Sequence, residues 1–181
     1  MNQLIMRWAN DGAEAEFTLP EGAELLTVNQ LDDGVKIWSD IVCHMEKEGI
    51  TEYPDGYMQF YKKVMLDMKN YSEDLCFILS LYGSPAATFT VICDEESGEG
   101  YVHMVAAKPE FRGCGLGSLM RRIAVSVLKK EGMRSAYLTT DDWRIPAIKG
   151  YLKAGFYPDL DSSEDYPSRW EKIYAIINAD K

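Results

Sequence analysis

Apolar positions in this chain change their period along its length. Before residue 70 they recur mainly at helical spacing; from residue 75 they fall into short runs parted by turn residues. Residues 3–8, Gln-Leu-Ile-Met-Arg-Trp, read as an opening strand with imperfect alternation. Residues 10–30 hold Gly12, Pro20 and Gly22 and read as irregular. Asp32-Asp33 then starts a helix running to about residue 47, with Trp38, Ile41, Val42 and Met45 as its apolar stripe. After the breakers Gly49, Pro54 and Gly56, a second helix is expected over 57–70, with Met58, Tyr61, Met65 and Met68 on one face. A methionine-rich stripe of this kind is usually core.

Runs at 75–81, 86–93 and 101–107, separated by Gly83-Ser84-Pro85 and an acidic turn at 94–100, predict an antiparallel meander. An amphipathic helix follows over 117–131, burying Met120, Ile123 and Val127 beside Leu119 and Leu128, with Gly132 placed as its C-terminal cap. Residues 136–140 form another strand. A strand–helix–strand unit of this length makes a right-handed crossover, so 101–107 and 136–140 should lie parallel. A helix over 145–154 ends at Gly155, and Phe156-Tyr157 opens a last strand. Trp170, Ile173, Tyr174 and Ile177 have helical spacing and predict a C-terminal helix. With no linker or repeat, the pattern describes one α/β domain over 1–181 with a mixed sheet.

Composition agrees with a single folded domain. The chain has 181 residues, 46% hydrophobic and 12% aromatic, which excludes a disordered tail. No apolar run approaches the roughly 18 residues of a membrane span. The N-terminal segment lacks a basic start followed by an apolar stretch, so a cytoplasmic location is expected. Cys43, Cys76, Cys93 and Cys114 are scattered, and with only His44 and His103 to help, no metal site is expected.

Charge is unevenly placed. The net −10 argues against nucleic acid or an anionic membrane as partner. Residues 1–100 hold six basic and nineteen acidic side chains, a net −13. Residues 101–134 hold seven basic and two acidic ones, a net +5 around the most glycine-rich stretch. A bound anion would explain that island; an ordinary solvated helix face is the plainer account.

That stretch is Pro109-Glu-Phe-Arg-Gly-Cys-Gly-Leu-Gly-Ser118, between a strand and a helix. Its glycines permit a tight turn and close approach, and the first helix amides then point outward with the positive end of the dipole behind them. Phosphate suits such a place. The G-x-G-x-G spacing departs from the dinucleotide fingerprint, and no lysine precedes Ser118 as in a Walker loop.

Arg112-Gly-Cys-Gly-Leu-Gly117, preceded by Val105-Ala-Ala-Lys-Pro-Glu-Phe111, resembles the Arg/Gln-x-x-Gly-x-Gly/Ala loop of the GNAT acetyltransferases. Ala147-Ile-Lys-Gly-Tyr-Leu-Lys-Ala-Gly-Phe156 is similar to that family's second helix and strand. The resemblance covers about 75–157 as an acetyl-CoA-binding core, with 1–70 as the acceptor side and 158–181 as a helical tail. It implies a mostly antiparallel sheet flanked by helices. It also implies acetyl-CoA as acyl donor. The backbone of Val105, Ala106 and Ala107 would hold the pantetheine arm. Amides of Arg112, Gly113, Cys114, Gly115, Leu116, Gly117 and Ser118 would cradle the pyrophosphate. Tyr151 would protonate the leaving thiolate, a role that suits a phenol. Two departures stand out. Arg144 replaces a frequent asparagine, and the helical tail puts the usual final hairpin in doubt.

The base is open. Glu99 and His103 share strand parity, Glu99 where some members keep a glutamate, and His103 has a suitable pKa. Asp141 is a third candidate, though Asp141-Asp142 equally suits a helix cap; water alone is a fourth. Two functions are therefore carried forward. One is an N-acetyltransferase acting on a small primary amine by direct attack in a ternary complex. The other is a non-catalytic acyl-CoA-binding regulatory module. The partners expected are acetyl-CoA and an amine, with a cationic one suggested by the acidic first half and by Trp38, His44, Tyr53, Tyr57 and Tyr61. A monomer and a homodimer are both compatible.

Overall fold

A computed structural model describes residues 2–45, 53 and 55–179. Its elements run β1 (Leu4–Ala9), β2 (Ala23–Thr27), α1 (Gly34–Val42), α2 (Tyr57–Tyr61), β3 (Cys76–Leu81), β4 (Ser84–Asp94), β5 (Glu99–Ala107), α3 (Leu116–Lys130), β6 (Ser135–Thr140), α4 (Ile145–Lys153), β7 (Tyr157–Pro158) and α5 (Tyr166–Ala179). The strands form one mixed sheet in the order β2-β3-β4-β5-β6-β1-β7. All pairs are antiparallel except β5 with β6, the pair made by the α3 crossover.

β4 sits in the middle, and its long apolar run is buried on both faces. Phe89 and Val91 point into the larger core with Leu4, Met6 and Trp8 of β1 and the inner faces of α3 and α4. The second core lies across the sheet, where Trp38, Ile41, Tyr61 and Met65 pack on Cys76, Ile78 and Ala106. Trp38 meets Tyr61 edge-on at 5.0 Å, a favoured aromatic geometry.

Several expectations need correction. Residues 10–30 are not all irregular: 23–27 pair with β3. Leu25 and Leu26 are adjacent rather than alternating, so strand periodicity gives no signal there. The first helix ends at Val42, and residues 46 and 47 lie outside the described residues. The second helix is short and continues as a π turn over Lys62–Leu66. Tyr61 and Met65 are fully buried, but Met58 is exposed. Beyond β6, no hairpin follows Phe156 among the described residues. The N-terminal strand β1 takes the place beside β6, and two-residue β7 closes the edge against Met6 and Arg7.

α5 is tied down by a buried cation. Arg169 donates through Nε to Asp142 Oδ2 at 3.0 Å, through its second nitrogen to Asp142 Oδ1, and to Asp165 at 3.3 Å. The Arg169 hydrogen bond holds the Asp142 carboxyl below its usual range. A carboxylate with a lowered folded pKa contributes stability that is full above its unfolded pKa and is lost as pH falls through the folded one. Arg169→Ala is expected to cost about 2 kcal/mol at pH 7, the scale of charged hydrogen bonds, and therefore to lower Tm by roughly 4–8 °C. Melting curves followed by circular dichroism at pH 7 and pH 3 check this. The gap between variant and wild type should narrow at pH 3.

Candidate active site

Parallel pairing joins Glu99, Gly100, Tyr101 and Val102 of β5 to Ser135, Ala136, Tyr137 and Leu138 of β6 and then stops. The reason lies in β5 itself. Met104 adopts φ +51°, and the ladder to β4 shifts register there, leaving Met104 and Val105 opposite Phe89 without ladder partners. A bulge of this kind bends its strand and re-aims its backbone. The strands part, and a cleft of about 570 Å³ opens between them.

The glycine loop closes one end of the cleft. Gly113 and Gly115 take φ +83° and +88°, conformations that residues with a Cβ rarely adopt, and the space where a Cβ would stand is empty at both. Gly115 is the N-cap of α3. The next amides, of Leu116 and Gly117, donate to no backbone acceptor among the described residues. They are the orphan donors of a 15-residue helix, available to an anion. Arg112 anchors the loop: Nε donates to the Ala107 carbonyl at 3.2 Å and a terminal nitrogen to the His44 carbonyl at 2.7 Å.

Tyr151, from α4, lines the cleft opposite β5. Its ring is buried and meets Phe156 edge-on at 5.8 Å. Its hydroxyl makes no hydrogen bond among the described residues. Burial pushes its pKa up to about 12, against the pull of Arg121 and Arg144. It is therefore a protonated phenol with an uncommitted O–H at neutral pH.

Of the residues singled out in the sequence, Val105, Ala106, Ala107, Arg112, Gly113, Gly115, Leu116, Gly117, Ser118, His103 and Tyr151 all line this cleft. Cys114 does not; it is exposed, with its thiol on the Phe111 carbonyl at 2.7 Å. Glu99 lies outside the lining and pairs with Arg7 at 3.4 Å. Asp141 is held by Arg144 at 3.0 Å and by Gln3 at 3.2 Å.

Residues 42–156 match the acetyltransferase (GNAT) family. The chain belongs to that family. Among curated proteins, the mycothiol acetyltransferase of Actinosynnema mirum is 26% identical over 84% of this chain and 50% of its own length. A GCN5-related N-acetyltransferase from Sphaerobacter thermophilus superposes with TM-score 0.67 at 18% identity, over 87% of this chain and 48% of that one. The ribosomal-protein-S18-alanine N-acetyltransferase of Escherichia coli gives TM-score 0.56 at 20% identity, covering 75% of this chain and 77% of that one. The chain thus spans about half the length of the first two of these relatives. The structural likenesses show the GNAT fold.

Within this GNAT cleft two residues escaped the sequence reading. Arg121, on α3, lines the cleft and stands 5.6 Å over the Tyr151 ring. It fills the space above Gly150, where an added Cβ would come within 2.1 Å of its guanidinium carbon. Burial lowers its pKa. Its signal was its place seven residues before Leu128, on the buried side of the helix, where a charge is out of keeping with the apolar stripe. Tyr101 is the second; in a strand, its aromatic ring reads as core. The aromatic acceptor wall needs correction too. Trp38 and Tyr61 are fully buried in the second core, and the Tyr53 hydroxyl is spent on the Ser39 carbonyl at 2.8 Å. Among the described residues no Asp or Glu lines the cleft, and no group of His, Cys, Asp and Glu is arranged to hold a metal.

Proposed function

We propose that this GNAT chain transfers the acetyl group of acetyl-CoA to the primary amine of a small molecule, by direct attack in a ternary complex. The observation that carries the reading is the uncommitted Tyr151 hydroxyl in the wall of a cleft whose other end is a loop of unpaired amides. The donor set fits acetyl-CoA. Leu116 and Gly117 offer N–H groups to a pyrophosphate, and the bulged β5 backbone offers edge groups to an amide-bearing arm. Held there, acetyl-CoA supplies an activated carbonyl. The protein contributes alignment of the amine with that carbonyl, backbone dipoles beside the developing oxyanion, and the Tyr151 proton for the departing sulfur. The cations Arg121 and Arg144 line the cleft, so a preference for cationic acceptors forms no part of the proposal.

The test is thiol release from acetyl-CoA with spermidine, glucosamine, and neutral and acidic amino acids, paired with mass spectrometry of the amine. An N-acetyl product formed in step with free thiol is expected for at least one. Binding of acetyl-CoA by calorimetry with no thiol released from any amine would leave the regulatory-module reading in its place.

A further inference from the structure

We propose that Tyr101 is the group that takes the proton from the attacking amine, and that His103 is the sink behind it. The proposal rests on the acetyl-transfer reading above.

Both ring nitrogens of His103 are engaged in hydrogen bonds. Its Nε2 lies 3.0 Å from the Val64 carbonyl, in the π turn after α2, and its Nδ1 lies 3.0 Å from the Tyr101 hydroxyl. A carbonyl only accepts, so Nε2 carries the hydrogen. In the neutral ring Nδ1 is then the lone pair, and Tyr101 donates to it. His103 therefore has no free nitrogen to offer a substrate. Tyr101 does have free capacity: its oxygen gives its proton to His103, accepts from the Thr139 hydroxyl, and keeps one lone pair. Thr139 stands at 3.4 Å from that oxygen. Both rings line the cleft, and the Tyr101 ring is held by stacking on Tyr137 at 4.6 Å and by contact with His103 at 4.8 Å.

The pair is built to move one proton. As the amine nitrogen bonds to the thioester carbonyl carbon, its excess proton passes to the Tyr101 oxygen while the Tyr101 hydroxyl proton passes to His103 Nδ1. Tyr101 ends neutral, and His103 ends as an imidazolium whose Nε2–H still faces the Val64 carbonyl. The carbon–sulfur bond breaks, and the sulfur takes the Tyr151 proton. Solvent then removes a proton from His103 and returns one to the Tyr151 phenolate, so no net charge is left.

Burial lowers the His103 pKa, opposed by the Val64 carbonyl, so the ring stands neutral and ready near pH 7. Tyr137 on β6 and Tyr151 on α4 both sense Tyr101, and the cleft that the pair lines also holds the cations Arg121 on α3 and Arg144 before α4. Arg7 and Glu99 bear on Tyr137 as an ion pair. Burial raises the pKa of both phenols, so Tyr137 and Tyr151 stay protonated at neutral pH. The logic is that of a base oriented by a third group, generalised from nucleophile–base–orienter sets.

The experiment uses the full chain labelled with ¹⁵N-histidine, as wild type, Tyr101→Phe, His103→Gln and the double variant. Nitrogen NMR is expected to show His103, assigned by its loss in His103→Gln, as the Nε2–H tautomer. Its Nδ1 signal should move in Tyr101→Phe. With acetyl-CoA and the best amine of the panel, Tyr101→Phe and His103→Gln should each lower kcat about 100-fold. Their acetyl-CoA Kd should stay unchanged, and the double variant should be no slower than Tyr101→Phe. An Nδ1–H tautomer, a Tyr101→Phe kcat within twofold of wild type, or losses that multiply in the double variant would each overturn the relay while leaving the transferase standing. A wild type active on no amine overturns the transferase reading itself.

Discussion

Gly115→Asp is expected to fold and to lose acetyl-CoA binding. Gly115 caps α3 with φ +88°, and nothing stands where a Cβ would be, so the new side chain meets strain but no clash. Aspartate is among the residues that tolerate this conformation, at a cost of roughly 1–2 kcal/mol. The damage is electrostatic. A carboxylate would sit among the amides of Leu116 and Gly117 and face any phosphate bound there. Two unit charges 4 Å apart repel by about 4 kcal/mol near a protein surface, or roughly 1000-fold in Kd. Calorimetry with acetyl-CoA on both proteins is the measurement, with melting curves to show that the variant is folded. Wild-type Kd should also weaken with added salt, because the loop lies in the basic stretch of an acidic chain. A variant Kd within threefold of wild type would rule out this loop as the phosphate cradle.

Much of this site was legible because its signals are local. The meander and the crossover follow from short apolar runs and turn residues, and β5 and β6 do lie parallel. The glycine loop is written in consecutive residues, and the backbone needs glycine at 113 and 115 for a conformational reason. What escaped was set by distant partners. Nothing in residues 4–9 says that they pair with 135–140 rather than with the strand that follows them. The proton arrangement on His103 depends on a carbonyl 39 residues away, in a π turn that no periodicity announces. Tyr101 and His103 share strand parity, which was visible; that one ring is committed to the other was not. Met58 shows the same limit. It falls on the apolar stripe of a regular helix, but the chain turns wide after Tyr61 and leaves Met58 in solvent.

Tyr151→Phe is expected to keep acetyl-CoA binding and to lower kcat by about 10- to 1000-fold, the loss of one positioned proton donor. The substitution removes a single oxygen. Because that hydroxyl has no hydrogen-bond partner among the described residues, no buried group is orphaned and the Phe156 contact survives. Stability should therefore change little, which separates this variant from a general packing defect. The pH dependence carries a second check. An acid works only while protonated, and burial pushes the Tyr151 pKa up to about 12, so the donor is in its working form throughout the neutral range. Wild-type kcat should show no alkaline fall traceable to Tyr151 below about pH 11. Arg121 enters here: its charge, 5.6 Å over the ring, favours the phenolate that proton donation leaves behind. Arg121→Met should therefore lower kcat in the wild-type background and much less in Tyr151→Phe, where no phenolate forms. Steady-state rates of the four proteins, with acetyl-CoA Kd measured alongside, give the coupling. Equal losses from Arg121→Met in both backgrounds would make it a packing residue, and a Tyr151→Phe kcat within twofold of wild type would reduce Tyr151 to a wall of the cleft.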